Sequence, residues 1–156
     1  MSNISTSQKY SPLKNTTSLT VTSGFGSRSF YNPIIKKNVQ DFHYGVDLTG
    51  GTIIVSPAKG KVTSIRNNIT GFNETYSEGN YVNIDHGDGI STAYYHIKYG
   101  TIKVKVGDIV EVGTELGIVG STGYVTGPHL HFGVKVNGTW VDKWKTAFFI
   151  SIKYIP

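Results

Sequence analysis

Phe42-His43-Tyr44-Gly45-Val46-Asp47-Leu48-Thr49 alternates with a period of two: the even positions are apolar, and the odd ones are His, Gly, Asp and Thr. Successive side chains of a strand point to opposite faces, so this spacing fits a strand over 42–48 better than a helix. Such a strand buries Phe42, Tyr44, Val46 and Leu48 and leaves His43 and Asp47 on the other face, with only Gly45 between them. The split recurs in His129-Leu130-His131-Phe132-Gly133-Val134-Lys135-Val136, where His129 and His131 share a face with Gly133. A third segment, Ser91-Thr92-Ala93-Tyr94-Tyr95-His96-Ile97, offers Tyr94 and His96 on one face.

Antiparallel neighbours with such faces can bring imidazole and carboxylate groups within the reach of one ion. Zinc suits this donor set, because it takes nitrogen and oxygen ligands and in catalytic sites keeps a position open for water. Iron(II) also accepts two histidines and a carboxylate, so donor chemistry alone leaves the metal open. His86 is the exception among the five histidines. It falls in the expected hairpin turn Asp85-His86-Gly87-Asp88-Gly89 and receives no role.

The rest of the chain agrees with an all-β domain. It has 156 residues, 19 glycines, 10 tyrosines and 5 prolines, which favours short antiparallel strands and tight turns around a single core. Further strands are expected at 19–22, 52–55, 60–66, 80–85, 90–98, 101–104, 115–119 and 139–142. Asn137-Gly138 is a strong hairpin signal. Residues 28–41 read as irregular after a turn at Gly24–Arg28, and 67–80 as a polar loop. Residues 1–18, rich in Ser, Thr and Asn, read as a tail or linker, so that the domain proper runs over 19–156. The segment 143–156 fits a helical turn or an edge strand.

There is no cysteine, which removes disulfides and thiolate chemistry. The net charge of +5 attracts polyanions weakly, anionic wall polymers among them, but the lysines are scattered and no dense basic run marks a nucleic-acid arm. No stretch has the length of a membrane span or the apolar core of a signal peptide. The expectation is therefore a monomer or a module of a larger chain, or a protein delivered by other means such as a phage particle.

Thr22-Ser23-Gly24-Phe25-Gly26-Ser27-Arg28, His43-Tyr44-Gly45-Val46-Asp47, Tyr94-Tyr95-His96 and Gly120-Ser121-Thr122-Gly123 through Thr126-Gly127-Pro128-His129-Leu130-His131-Phe132 resemble, in this order, the M23 zinc peptidases of the lysostaphin and LytM-like type. The resemblance covers about residues 20–142. It implies a compact half-barrel of antiparallel sheet related to the barrel-sandwich hybrid, one zinc ion held by His43, Asp47 and His131, and His96 and His129 as the two histidines that do not bind metal. It also implies an extracellular, wall-directed or phage-borne endopeptidase that cuts the peptides of bacterial peptidoglycan. Ile53-Ile54-Val55 departs from the usual proline-containing run, which bears on packing.

No His-Glu-x-x-His segment supplies a glutamate base, so a histidine must take that role. His129 is the candidate base, and His96 the group that stabilises the oxyanion or protonates the leaving amine. Tyr94 and Arg28 are the expected substrate contacts, with 28–41 and 67–80 as groove walls. Two other functions compete. Residues 102–123 resemble a biotinyl or lipoyl carrier domain but lack a lysine at a hairpin tip. A catalytically silent wall-binding or regulatory domain would share the fold, and the complete ligand set argues against it. No residue decides which peptide bond is cut.

Overall fold

The computed structural model describes residues 11–14 and 19–142. The strands are β1 (Thr20–Ser23), β2 (Gly26–Asn32), β3 (Lys37–His43), β4 (Val46–Thr49), β5 (Ile53–Val55) and β6 (Gly60–Arg66) in the first half. They continue as β7 (Asn80–Gly87), β8 (Ile90–Ile97), β9 (Ile109–Val110), β10 (Glu115–Ile118), β11 (Leu130–Val136) and β12 (Thr139–Trp140). All pairings between these strands are antiparallel, and no helix occurs among the described residues. The all-β expectation holds.

The main sheet has the order β1-β4-β11-β8-β7-β6-β9, with β12 also on β11. Two smaller sheets, β10-β5 and β2-β3, complete the fold. Leu48, Ile54, Val62, Val82, Ile84, Ile97, Leu116, Leu130, Phe132 and Val134 form the buried core, contributed by both the main sheet and β5-β10. Removal of these side chains from water is the main term favouring the fold.

Several expected boundaries shift. The stretch 42–48 is not one strand: β3 ends at His43, paired with Gly26 of β2, and β4 begins at Val46 between β1 and β11. Tyr44 and Gly45 carry the chain from one sheet to the other, so the alternation does not survive the step. Phe42 and Tyr44, expected inside, are 45% and 52% exposed. They pack on each other at 4.8 Å between ring centroids and on Phe25.

The stretch 28–41 is a hairpin rather than an irregular segment. Asn32 Oδ1 accepts from the Ile34 and Ile35 amides and shapes its turn, and Lys36 takes a positive φ of 57°. The stretch 101–104 is not a strand, although Ile102 and Val104 still pack on the core.

The 18-residue tail boundary is also corrected. Leu13 is fully buried, bridges to Ile54, and is flanked by Lys14 N–H to Ile53 O and Val55 N–H to Pro12 O bonds of 2.9 Å. A single large apolar residue is enough to seat this short segment beside β5. Asn137 and Gly138 adopt positive φ as the hairpin reading requires. Residues 143–156, whose helix-or-strand reading was open, lie outside the described residues.

Candidate metal and catalytic site

Asp47 and His131 are direct cross-strand partners in β4 and β11, and Tyr95 of β8 lies opposite His131 on its other side. The main sheet therefore sets these side chains in a row. His43 enters from the end of β3, brought alongside by the Tyr44-Gly45 step. A Cβ on Gly45 would lie 2.6 Å from the Phe132 carbonyl oxygen and 2.7 Å from His131 Nε2, so only glycine lets the chain pass this close.

His43 Nε2 lies 2.9 Å from His131 Nδ1 and 2.9 Å from Asp47 Oδ1, and His131 Nδ1 is 3.3 Å from the same oxygen. All three residues are buried. Four ligands at zinc distances of about 2.0–2.2 Å in a tetrahedron stand roughly 3.3–3.6 Å apart, slightly wider than this set. Among the described residues, His43, Asp47 and His131 form the group of side chains whose geometry could hold a metal ion.

The protons make the stronger argument. His43 Nδ1 lies 2.8 Å from the Gly24 carbonyl, which can only accept, so Nδ1 carries the hydrogen and Nε2 presents a lone pair. That lone pair points at Asp47 Oδ1, a buried oxygen with no hydrogen-bond donor. His129 Nδ1 donates to Gly127 O at 3.0 Å, leaving its own Nε2 lone pair 3.5 Å from Oδ1. Lone pairs converging on a buried, unsatisfied carboxylate oxygen are costly unless a cation stands among them. The donor set thus fits a divalent metal bound through His43 Nε2, Asp47 Oδ1 and His131 Nδ1.

Burial alone would raise the Asp47 carboxyl. The surrounding imidazoles of His131, His43 and His129 outweigh it and hold the group well below the usual carboxylate range. His131 is pushed down by burial, against the pull of Asp47.

His96 occupies the far wall. It has a positive φ of 67° and sits at a bulge where Asn80 pairs Ile97 and Val82 pairs Tyr94. The extra residue turns both Tyr95 and His96 toward the site. Glu78 O accepts from the His96 amide, and His96 Nδ1 donates 2.8 Å to Thr122 O. Thr122 is itself fixed by hydroxyl bonds to Asn80 N and Ile97 O. Beside it Gly123, at φ 89°, lies so close to the backbone of Ser77 and Gly79 that a Cβ would clash. These contacts account for the Gly120–Gly123 stretch: it fixes the tautomer of His96. Burial, then the charges of His129 and His131, push the His96 imidazole down to about 3.

The seven residues singled out in the sequence do not all meet. His43, Asp47, His131, His96, His129 and Arg28 line one cavity of about 340 Å³. Tyr94 does not join them: it is fully buried in the core, because the bulge breaks the alternation that put it on the His96 face. Its hydroxyl donates to Thr92 Oγ1, which donates to His86 Nε2, while His86 Nδ1 donates to Lys59 O. His86, assigned no role, lies within β7 and is a buried neutral link in this chain.

The neighbour Tyr95 was missed. It stacks on His131 at 4.8 Å with planes 10° apart and lines a second cavity of about 320 Å³ with Phe42, Tyr44, Glu78 and Trp140. No periodicity announces a bulge. Arg28 lines both cavities, as does Tyr124.

The sequence model of Peptidase family M23 matches residues 41–143. The chain belongs to peptidase family M23. Among curated M23 relatives, a peptidoglycan DD-endopeptidase of Vibrio cholerae, ShyB, is 35% identical over 133 residues, covering 84% of this chain and 28% of its own length. A zinc-containing peptidase from Vibrio cholerae superposes with a TM-score of 0.63 at 32% identity, over 85% of this chain and 38% of that one. The catalytic domain of lysostaphin from Staphylococcus simulans gives 0.61 at 31%, over 83% and 90%. The chain spans 26% and 28% of the first two curated relatives, so the likeness is to one part of those longer proteins.

Proposed function

We propose that this M23 domain is a zinc-dependent endopeptidase acting on the peptides of bacterial peptidoglycan at the cell wall, as a single module that works alone or within a longer chain or phage particle. The observation that carries the reading is the unsatisfied Asp47 Oδ1 enclosed by the lone pairs of His43 and His129 and by His131 Nδ1. His43, Asp47 and His131 would hold one zinc ion, which when bound polarises the scissile carbonyl and acidifies water.

The remaining steps belong to the protein. His129 is less buried than the metal-binding set, and its Nδ1–H is tied to Gly127 O. It presents Nε2 as the proton acceptor, and once protonated it can return the proton to the leaving amine. His96, also tied through Nδ1, presents Nε2 as a second acceptor that orients the attacking water. A neutral imidazole so tied has no hydrogen to offer an oxyanion, so the oxyanion role expected for His96 is set aside.

The two cavities flank the triad and would give an extended peptide a path past it, one wall rich in hydroxyls (Thr22, Ser23, Ser29, Thr126) and the other aromatic. Support for the substrate comes from the relatives named as peptidoglycan endopeptidases. The test is metal analysis of the purified chain together with release of dye from labelled walls. About one zinc per chain with chelator-sensitive release is expected. One zinc without release would favour the silent wall-binding alternative.

A further inference from the structure

We infer that Arg28, braced by Asp41, is the positioning residue that holds the metal-binding carboxylate of Asp47 in place; the inference rests on the metal site proposed above. Arg28 of β2 faces Asp41 of β3 as a direct cross-strand partner. Nε donates to Asp41 Oδ1 at 2.6 Å and Nη2 to Oδ2 at 3.0 Å, the two-pronged geometry that fixes a guanidinium plane. Nη1 then donates to Asp47 Oδ2 at 3.2 Å and to Ser23 Oγ at 3.0 Å. The face of the guanidinium lies 5.1 Å from the centre of the Phe30 ring.

Most of the guanidinium hydrogens are thus committed inside the protein, and the side chain is half-buried. Arg28 is placed less as a free cation for substrate than as a clamp joining β1, β3 and β4.

What the clamp does follows from which oxygen it takes. Asp47 has two oxygens: Arg28 occupies Oδ2, while Oδ1 is the one without a donor and the one facing the imidazole nitrogens. A carboxylate held by one oxygen binds metal through the other, whereas a free carboxylate can rotate and offer both. Arg28 therefore enforces one-oxygen binding and preserves the open position that catalysis needs. Asp41 never touches Asp47 in this arrangement; it acts by keeping Arg28 from swinging away. The hairpin β2-β3, which belongs to a separate small sheet, is in this way tied to a ligand in the main sheet.

The test uses the full chain loaded with cobalt(II), whose visible bands are intense in four-coordinate sites and weaken when a fifth donor binds, alongside zinc affinity by chelator competition. Arg28→Met is expected to raise the zinc dissociation constant about 10–100-fold, the usual effect of removing a ligand's hydrogen-bond partner, and to weaken the cobalt bands. Asp41→Asn keeps Arg28 and the fold and should shift both readouts the same way by less. Arg28→Lys keeps the charge without the fork and should not rescue the bands.

If the wild type binds metal while Asp41→Asn and Arg28→Met match it in affinity and spectrum, the positioning role is wrong. A change confined to Arg28→Met affinity, with unaltered bands and a silent Asp41→Asn, also overturns it. A wild type that binds neither ion defeats the metal site itself.

Discussion

The metal-binding triad is assembled from two unlike regions. Asp47 and His131 belong to the main sheet, where β4 and β11 are each paired on both sides and the two residues face each other in register. His43 comes from the end of a two-stranded hairpin sheet, its imidazole tied to Gly24 O and facing His131 Nδ1, and is connected through Tyr44-Gly45. One half is fixed by the ladder. The other is fixed by side-chain contacts and by the absence of a Cβ at Gly45. Changes in the sheet half should act all or none, and changes in the hairpin half should be graded.

The most severe test is in the sheet. His131→Ala removes a ligand from the fixed half and should abolish metal retention and activity together, measured by metal analysis and wall solubilisation. His129→Ala, two residues away and outside the triad, should keep the metal and lose about 10²–10⁴-fold in turnover, the usual contribution of a proton-transfer group. Equal loss of metal in both variants would erase the distinction between ligand and base.

Gly45→Ala probes the joint between the halves. The new methyl must displace the Phe132 carbonyl or the His131 ring, at an expected cost of about 1–3 kcal/mol in chemical unfolding, with weaker metal binding. Gly24→Ala is its control, since a Cβ there meets nothing within 4 Å. Equal stability of the two variants would mean that the joint is not tight.

The same contrast governs what could be read from the sequence. His129–Val136 was legible because β11 lies inside the sheet, paired with β4 and β8, so its inward residues Leu130, Phe132 and Val134 are buried as the alternation requires. Phe42–Leu48 shows an equally clean alternation and was misread at Phe42 and Tyr44. Period two reports a face only while one sheet continues, and nothing local marks the step between sheets. Tyr95 and Tyr94 exchanged places for a related reason: the bulge depends on the partner strand β7. The core position of Leu13 was hidden by its polar surroundings, because one buried leucine carries no periodicity. Arg28 was recognised as a residue of the site, but its tie to Asp47 requires the β2-β3 pairing, which only the fold reveals.

Acid sharpens the comparison at moderate cost. His96 and His131 are buried in the sheet half with depressed values, and His86, buried elsewhere in the same sheet, is lowered by burial as well. In the unfolded chain each titrates near 6.5. Above that pH both states are neutral and the stability is complete. As pH falls below about 6.5 the unfolded chain takes up protons first, so stability is lost progressively, for His96 until about pH 3. At pH 5 His96 alone should destabilise the metal-free protein by about 2 kcal/mol, taking 1.36 kcal/mol per pH unit. Urea unfolding at pH 7.5 and 5.0 reads this directly, and coincident curves would show that these imidazoles are not held neutral.

The smallest expected effect concerns how the sheet half holds His131. Tyr95 lies flat against the imidazole, with planes 10° apart, and its own edge meets Tyr81 at 6.1 Å. A stacked aromatic pair contributes about 0.5–1.5 kcal/mol beyond its burial. Tyr95→Leu should therefore lower stability by about that much, with a modest loss of metal affinity, because the ladder still sets the position of His131. Tyr95→Phe keeps the ring and should match the wild type in both. A Tyr95→Leu variant that loses metal as completely as His131→Ala would mean that the stack, and not the pairing of β11 with β4 and β8, fixes the ligand; the sheet half would then depend on side-chain contacts as the hairpin half does.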